Sequence, residues 1–436
     1  MSAKVINFLQ RRNLLCEQLM DESVVVVSSS SIKTRNSDSD YPFRQDSNFF
    51  YLSGFNEPES VIVLRPFALD RKYVIFCRER DPLKEQWEGF RAGTEGAKKK
   101  FEAEESYSIS LLDKIMPELL EGAKNIYYSM RSPNEINIKM PTWLDQIRAG
   151  ARHGSEVPEN LLSLDAILDE MRLKKTEEEI LLMKKAGDIT CEAHIQAMKK
   201  VKPGMFEYQL EAEYLHTFLQ GGARFPAYNS IVGGGNNSCI LHYNENNSKL
   251  NDGDVVLVDA GCEYQHYASD VTRTFPVGKK FSEEQKNIYE VVLEAHKQAS
   301  AEVKPGNPWN KAQEKSIEVI TQGLIELGIL SGKLEDLIEK EEYTKFYMHR
   351  IGHWLGMDVH DVGNYKKKGK WRDLEPGMVL TIEPGVYILD SLKGVDKKWL
   401  GIGVRIEDDL LVTNDGNQVL TSHAPKEIQD IENLRS

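Results

Sequence analysis

The sequence predicts an α+β second domain preceded by a mixed α/β first domain. Three observations carry this reading: one strand motif occurs twice, helix-start patterns flank its first copy, and short strands alternate with helical stretches in the first third of the chain. At 436 residues the chain exceeds one comfortable core, and domains of roughly 100–200 residues make two the expectation. The division is placed at residues 1–172 and 173–436.

In the first domain, runs rich in β-branched, aromatic and aliphatic residues predict strands at Ser23–Val27, Phe49–Leu52, Val61–Leu64 and Tyr73–Cys77, separated by polar loops. Small residues and breakers in Ala149-Gly150-Ala151-Arg152-His153-Gly154-Ser155-Glu156-Val157-Pro158 read as a linker, with a helix starting near Asn160. In the second domain, Thr176 with Glu179 and Ser282 with Gln285 form capping boxes ahead of amphipathic runs. Helical patterns also occupy roughly residues 207–220 and 312–327. Helices therefore cover a sheet-forming centre.

That centre is the duplication. Gly253-Asp254-Val255-Val256-Leu257-Val258-Asp259-Ala260-Gly261 and Gly377-Met378-Val379-Leu380-Thr381-Ile382-Glu383-Pro384-Gly385 each start at a turn dipeptide, run through apolar residues and place one acid before a second glycine turn. A further β-rich stretch follows each copy, Asp270–Pro276 and Arg405–Val412, and contributes Asp270 and Glu407. Each copy thus becomes a hairpin with one acid per strand. The period of two puts Val255, Leu257 and Asp259 on one face, and Arg405, Glu407 and Asp409 on one face of the second hairpin.

An acid at the end of an apolar strand is costly unless it is paired or binds a metal, so two in equivalent places point to one shared cationic site. Between the hairpins, residues 349–361 hold His349, His353 and His360, three of the ten histidines. Four carboxylates and an imidazole suit two divalent ions about 3.5–4 Å apart. The oxygen-rich donor set favours Mn²⁺, with Co²⁺, Fe²⁺ or Zn²⁺ as alternatives. Arg405 is placed to orient an acid and keep it ionised. Taken singly, a strand-end Asp reads as a turn or cap residue, and Asp408 and Asp409 read that way. His349 and His353 would share a helical face, but Gly352 and Gly356 argue against a helix there. Gly233-Gly234-Gly235 lacks a following Gly-Lys-Ser/Thr and reads as an ordinary loop. No Ser or Cys nucleophile motif is evident.

Composition narrows the function class. A formal net charge of −13 argues against phosphate-driven binding of nucleic acid, and the Lys98-Lys99-Lys100 run reads as a solvated face. The five cysteines are scattered, with no C-x-x-C spacing, and read as belonging to a reducing cytosol. The amino-terminal residues lack a signal-type apolar stretch, and no run of roughly 18 apolar residues occurs, so a cytoplasmic chain with no membrane span is expected.

The ordered set Ile240-Leu241-His242-Tyr243, Val258-Asp259-Ala260-Gly261, Ser269-Asp270-Val271-Thr272-Arg273-Thr274-Phe275, His353-Trp354-Leu355-Gly356, Thr381-Ile382-Glu383-Pro384-Gly385 and Arg405-Ile406-Glu407-Asp408 resembles the Xaa-Pro aminopeptidases (aminopeptidase P) among the pita-bread metallopeptidases. Asp40-Tyr41-Pro42-Phe43-Arg44-Gln45 and Gly54-Phe55-Asn56-Glu57-Pro58-Glu59 extend the likeness to the long bacterial form, over nearly the whole chain. The resemblance implies a pita-bread catalytic domain with a pseudo-twofold hairpin repeat. It implies that Asp259 binds one ion, His353 and Glu383 the other, and Asp270 and Glu407 both. A hydroxide held between the ions would attack the carbonyl before proline, with Glu383 handling its proton. His242, His349 and His360 would line the substrate site, and Arg405 and Tyr228 would brace the ligands. Arg350 stands where the family usually has a small residue, a departure that bears on the pocket beside His349.

Peptides with proline in second position are then the implied substrates. Prolidase, which shares fold and ligands but takes only dipeptides, is the nearest alternative. Methionine aminopeptidases generally lack the large first domain. A metal-free binding module on the same fold is a further alternative, although all five ligand positions carry the residue types a metal site needs. The first domain carries no chemistry of its own and is expected to mediate assembly and cap the cleft, in a homotetramer or homodimer. Trp87, in Glu85-Gln86-Trp87-Glu88, is a candidate substrate contact supplied in that way, with a local core tryptophan as its alternative.

Overall fold

The structure is a computed structural model and describes residues 6–131 and 135–435. The chain forms two compact units, Met1–Met171 and Arg172–Ser436.

The first unit is built on a six-stranded mixed sheet in the order Glu105–Ser108, Tyr73–Cys77, Val61–Leu64, Ser23–Ser28, Asn125–Tyr128, Asn160–Ser163. Its central strand Ser23–Ser28 pairs antiparallel with Val61–Leu64 and parallel with Asn125–Tyr128. Both of its faces are covered, so the run Val24–Val27 is apolar throughout instead of alternating. Three expectations are corrected here. Phe49–Leu52 is helical, inside Ser47–Ser53. The Asp46 carboxylate accepts the Phe49 N–H at 2.8 Å, and Gly54 closes the helix in the left-handed region. These two caps outweigh the β-propensity of the aromatic residues. Asn160–Ser163 is the last strand of the sheet, because its backbone pairs in register with Asn125–Tyr128; the helix runs Asp165–Leu173. The breaker-rich segment after Ala149 is therefore a connection within the first unit, holding a short 3-10 turn at Ala151–His153.

In the second unit, Ile231–Gly234, Val255–Asp259 and Thr272–Pro276 form one antiparallel sheet, and Val379–Ile382, Asp408–Val412 and Asn417–Val419 form another. Gly233 and Gly234 pair with Leu257 and Val256, so the first part of the triple-glycine segment is an edge strand and not a loop. Helices Glu177–Lys200, Glu207–Gln220, Glu283–Ala301 and Asn310–Glu326 belong to this unit, and Ala193, Leu210, Val256, Phe275, Ile288 and Val404 lie in one shared core. Both capping boxes form: Glu179 and Gln285 each return a side-chain oxygen to the cap backbone N–H at 2.9 Å.

Arg405, Glu407 and Asp409 do not share one strand. Arg405 ends Ile402–Arg405, which pairs with Gly385–Ile388, while Asp408 starts a strand of the other sheet. At this crossing the Glu407 N–H donates to the Thr272 carbonyl at 3.0 Å, tying the second copy of the repeat to the first. Asp408 and Asp409 are buried strand residues, at 0% and 1% exposure, not turn residues. Arg273 Nη2–H donates to Asp408 Oδ1 at 2.7 Å, Thr421 donates to the same oxygen at 2.8 Å, and Lys426 adds a third contact. Burial pushes the Asp408 carboxyl up, but Arg273, His296 and Lys426 together outweigh it and hold the group well below the usual carboxylate range. That stability is present above the ordinary aspartate range and is lost as pH falls toward the depressed value. Asp408→Ala is expected to destabilise the second unit by roughly 3–5 kcal/mol, because it leaves a buried guanidinium uncompensated; denaturant unfolding at neutral pH measures it, and a loss under 1 kcal/mol contradicts the assignment.

Candidate metal centre

Strand geometry carries the four acids to one place. Asp259 ends its strand opposite Thr272, with Asp270 two residues earlier. Glu383 directly follows Val379–Ile382, and Glu407 directly precedes the partner strand Asp408–Val412. The histidine segment is laid along the same edge. Leu355 N–H donates to the Val379 carbonyl at 3.0 Å, Thr381 N–H to His353 at 2.9 Å and Glu383 N–H to Ile351 at 2.7 Å. This pairing puts His353 beside Glu383 and needs Gly352 between them, since a Cβ there would lie 2.0 Å from the Thr381 carbonyl oxygen.

Asp270, His353 and Glu407 present ligand atoms within 4.8 Å of one another. His353 Nε2 lies 3.3 Å from Asp270 Oδ2 and 3.7 Å from Glu383 Oε1. Its Nδ1 is 3.0 Å from the Trp354 carbonyl. A carbonyl only accepts, so Nδ1 carries a hydrogen and Nε2 faces the acids, where it can ligate a metal in place of its own proton. Arg405 Nη2–H donates to Asp259 Oδ2 at 2.7 Å. The Tyr228 hydroxyl lies 2.5 Å from both Asp259 Oδ1 and Asp270 Oδ1, although its single hydrogen serves one at a time. Thr272 Oγ1–H donates to Glu407 Oε2 at 2.7 Å and receives Arg405 Nε–H at 3.1 Å.

Two braces were not read from the sequence. Thr272 stands two residues from Asp270, and strand periodicity was the signal for it. Asp409 accepts the Ser269 hydroxyl at 2.9 Å and the Asp270 N–H at 3.2 Å; the alternation that sets it on the face of Glu407 is its one sequence signal, against its reading as a turn residue.

The acids outnumber their cations. Burial pushes Glu407 well above the carboxylate range, and the charges of Asp270, Glu383 and Asp259 add to that against the pull of Arg405. Burial likewise pushes Glu383 up to about 7, against His353 and Arg405. Burial alone would lower His353, but Asp270 and Glu383 raise it to about 9. One imidazolium and one guanidinium do not neutralise four buried carboxylates. Divalent cations do, and a donor set of carboxylate oxygens with one imidazole fits them.

Beyond the acids, Arg405 Nη1–H donates to the Tyr387 hydroxyl at 3.0 Å, so that hydroxyl donates onward to His349 Nε2 at 2.8 Å, and His349 Nδ1–H donates to the Arg350 carbonyl at 2.8 Å. Burial and the Arg405 charge push His349 down to about 3, which keeps it neutral. Its Nδ1 lies 3.8 Å from Glu383 Oε2. The His360 ring sits edge-on to His353 with centroids 4.3 Å apart. His242 is exposed, and its charge bears on both His349 and His360. Tyr387 carried no sequence signal. Trp87 lies in the first unit, in helix Pro82–Glu88, and is 90% exposed, which corrects the local-core alternative.

Residues 181–414 match metallopeptidase family M24, and residues 8–127 match the aminopeptidase P N-terminal domain. The chain is 48% identical to the Xaa-Pro aminopeptidase of Haemophilus influenzae over 98% of this chain and 96% of the relative. Among solved structures, Pseudomonas aeruginosa aminopeptidase PepP superposes with a TM-score of 0.97 at 48% identity, covering 98% of this chain and 97% of that one. Aminopeptidase P from Escherichia coli with the inhibitor Pro-Leu superposes with a TM-score of 0.96 at 42% identity, covering 99% of each.

Proposed function

This chain belongs to metallopeptidase family M24, and we propose from that premise that it is a metal-dependent exopeptidase releasing the first residue of peptides whose second residue is proline. The observation that carries the reading is the convergence of Asp259, Asp270, Glu383, Glu407 and His353 at the facing ends of a duplicated hairpin.

Asp259 would hold one divalent ion and His353 and Glu383 a second, with Asp270 and Glu407 available to both; Mn²⁺ would be the preferred ion. When bound, the pair of ions polarises the peptide carbonyl and makes water a nucleophile at neutral pH. Glu383 turns one oxygen toward His353 and the other toward His349, so one can remain a ligand while the other takes the proton of the attacking water. His360, beside His353, and His242 would bond the scissile carbonyl, and His349, kept neutral and with both ring nitrogens fixed by Tyr387 and the Arg350 carbonyl, would line the proline side. Arg405 and Tyr228 keep Asp259 and Asp270 oriented. No covalent enzyme intermediate is needed.

No described helix is long and apolar enough to cross a membrane, and we place the protein in the cytoplasm. We further propose a homotetramer or homodimer, with the first unit mediating assembly and the exposed Trp87 approaching a neighbouring active site. A monomer by light scattering at micromolar concentration would remove that role.

Chelation is expected to abolish release of the first residue from a peptide with proline second, and added Mn²⁺ to restore it. Full activity in metal-stripped protein would falsify the reading.

A further inference from the structure

Arg350 directly follows His349 and is exposed. Its carbonyl fixes the His349 ring, while its guanidinium lies 6.0 Å from the centre of the Trp371 ring. Lys366 Nζ lies 4.3 Å from the centre of the same ring. Trp371 belongs to a short exposed hairpin, Lys366–Lys367 against Lys370–Trp371, turning through Lys368 and Gly369. An aromatic cluster anchors this hairpin: Trp371 stacks on Trp309 at 5.8 Å, and Tyr365 stacks on Trp354, the neighbour of His353, at 5.3 Å. Among the described residues, neither Arg350 nor Lys366 is paired with a carboxylate.

A cation on an aromatic face keeps its charge available for an anion on its outer side. Two such cations on one anchored ring, beside a site histidine of a chain with net charge −13, are more than a solvated face. We propose that Arg350 and Lys366 form a cationic subsite that selects peptides carrying acidic side chains downstream of the proline. This rests on the aminopeptidase reading. A cut one residue from the end holds the amino terminus against the buried acids, so the residues after the proline extend away from them, and the proposal sets the exposed Arg350, next to His349, and Lys366 along their path.

The test compares kcat/KM for three carboxy-terminally amidated tetrapeptides, Ala-Pro-Ala-Ala, Ala-Pro-Glu-Glu and Ala-Pro-Lys-Lys, with Mn²⁺ present. Amidation removes the terminal carboxylate, and the overall negative charge of the chain by itself would favour the lysine peptide, so the sign of the preference is diagnostic. The acidic peptide is expected to exceed the neutral one about three- to tenfold, as for a pair of exposed ion pairs. The ratio should fall toward one near 1 M salt, where the screening length is about 3 Å. In the double variant Arg350→Gln with Lys366→Gln it should be about one at any salt. A ratio of one in the unaltered protein, or a ratio retained in the double variant, overturns the subsite. Failure to cut the neutral peptide overturns instead the reading on which it rests.

Discussion

Glu407→Ala is expected to strip the centre of metal and to lower turnover by more than about 10³-fold, the loss that follows when several kcal/mol of charge stabilisation by the ions is removed. Glu407 is 1% exposed, held by the Thr272 hydroxyl and surrounded by Asp259, Asp270 and Glu383. Its backbone is fixed by the bond to Thr272, so the substitution leaves the strand crossing in place and removes only the carboxylate proposed to serve both ions. Metal analysis after dialysis reads the outcome. Two ions per chain in the variant would contradict the bridging role.

The second large effect separates metal binding from substrate handling. His353→Ala should lose metal, because among the described residues its Nε2 is the one imidazole nitrogen aimed at both Asp270 and Glu383. His360 touches the His353 ring but takes no part in the acid cluster, so His360→Ala should keep its ions and lose roughly 10²–10⁴-fold in turnover, as when a positioned proton-transfer or oxyanion group is removed. If the His360 variant loses metal while the His353 variant keeps it, the two roles are exchanged; if neither slows turnover, the chemistry lies elsewhere.

How far the site could be read in advance follows from what each residue depends on. The duplicated strands were legible because an acid closing an apolar run is a local pattern, and Asp259 and Glu383 stand at the same offset in their copies. Val61–Leu64 and Tyr73–Cys77 were legible for the same reason, being buried strands with continuous apolar runs. Phe49–Leu52 was not, since its helix is decided by caps at Asp46 and Gly54 outside the apolar run. Asn160–Ser163 is half polar with none of its four residues buried, and it becomes a strand through pairing with Asn125–Tyr128. Tyr387, Ser269 and Asp409 reach the site through bonds made across the sheet or between the two copies. Only the three-dimensional register decides such bonds, and no local pattern announces them.

The central claim is tested most directly by product analysis with the Mn²⁺-loaded protein on a five-residue peptide that has proline second, beside the same peptide with alanine second and an Xaa-Pro dipeptide. Release of the first residue alone, from the proline pentapeptide and not from its alanine counterpart, is the predicted result. Cleavage confined to the dipeptide, or equal cleavage of the alanine peptide, contradicts it.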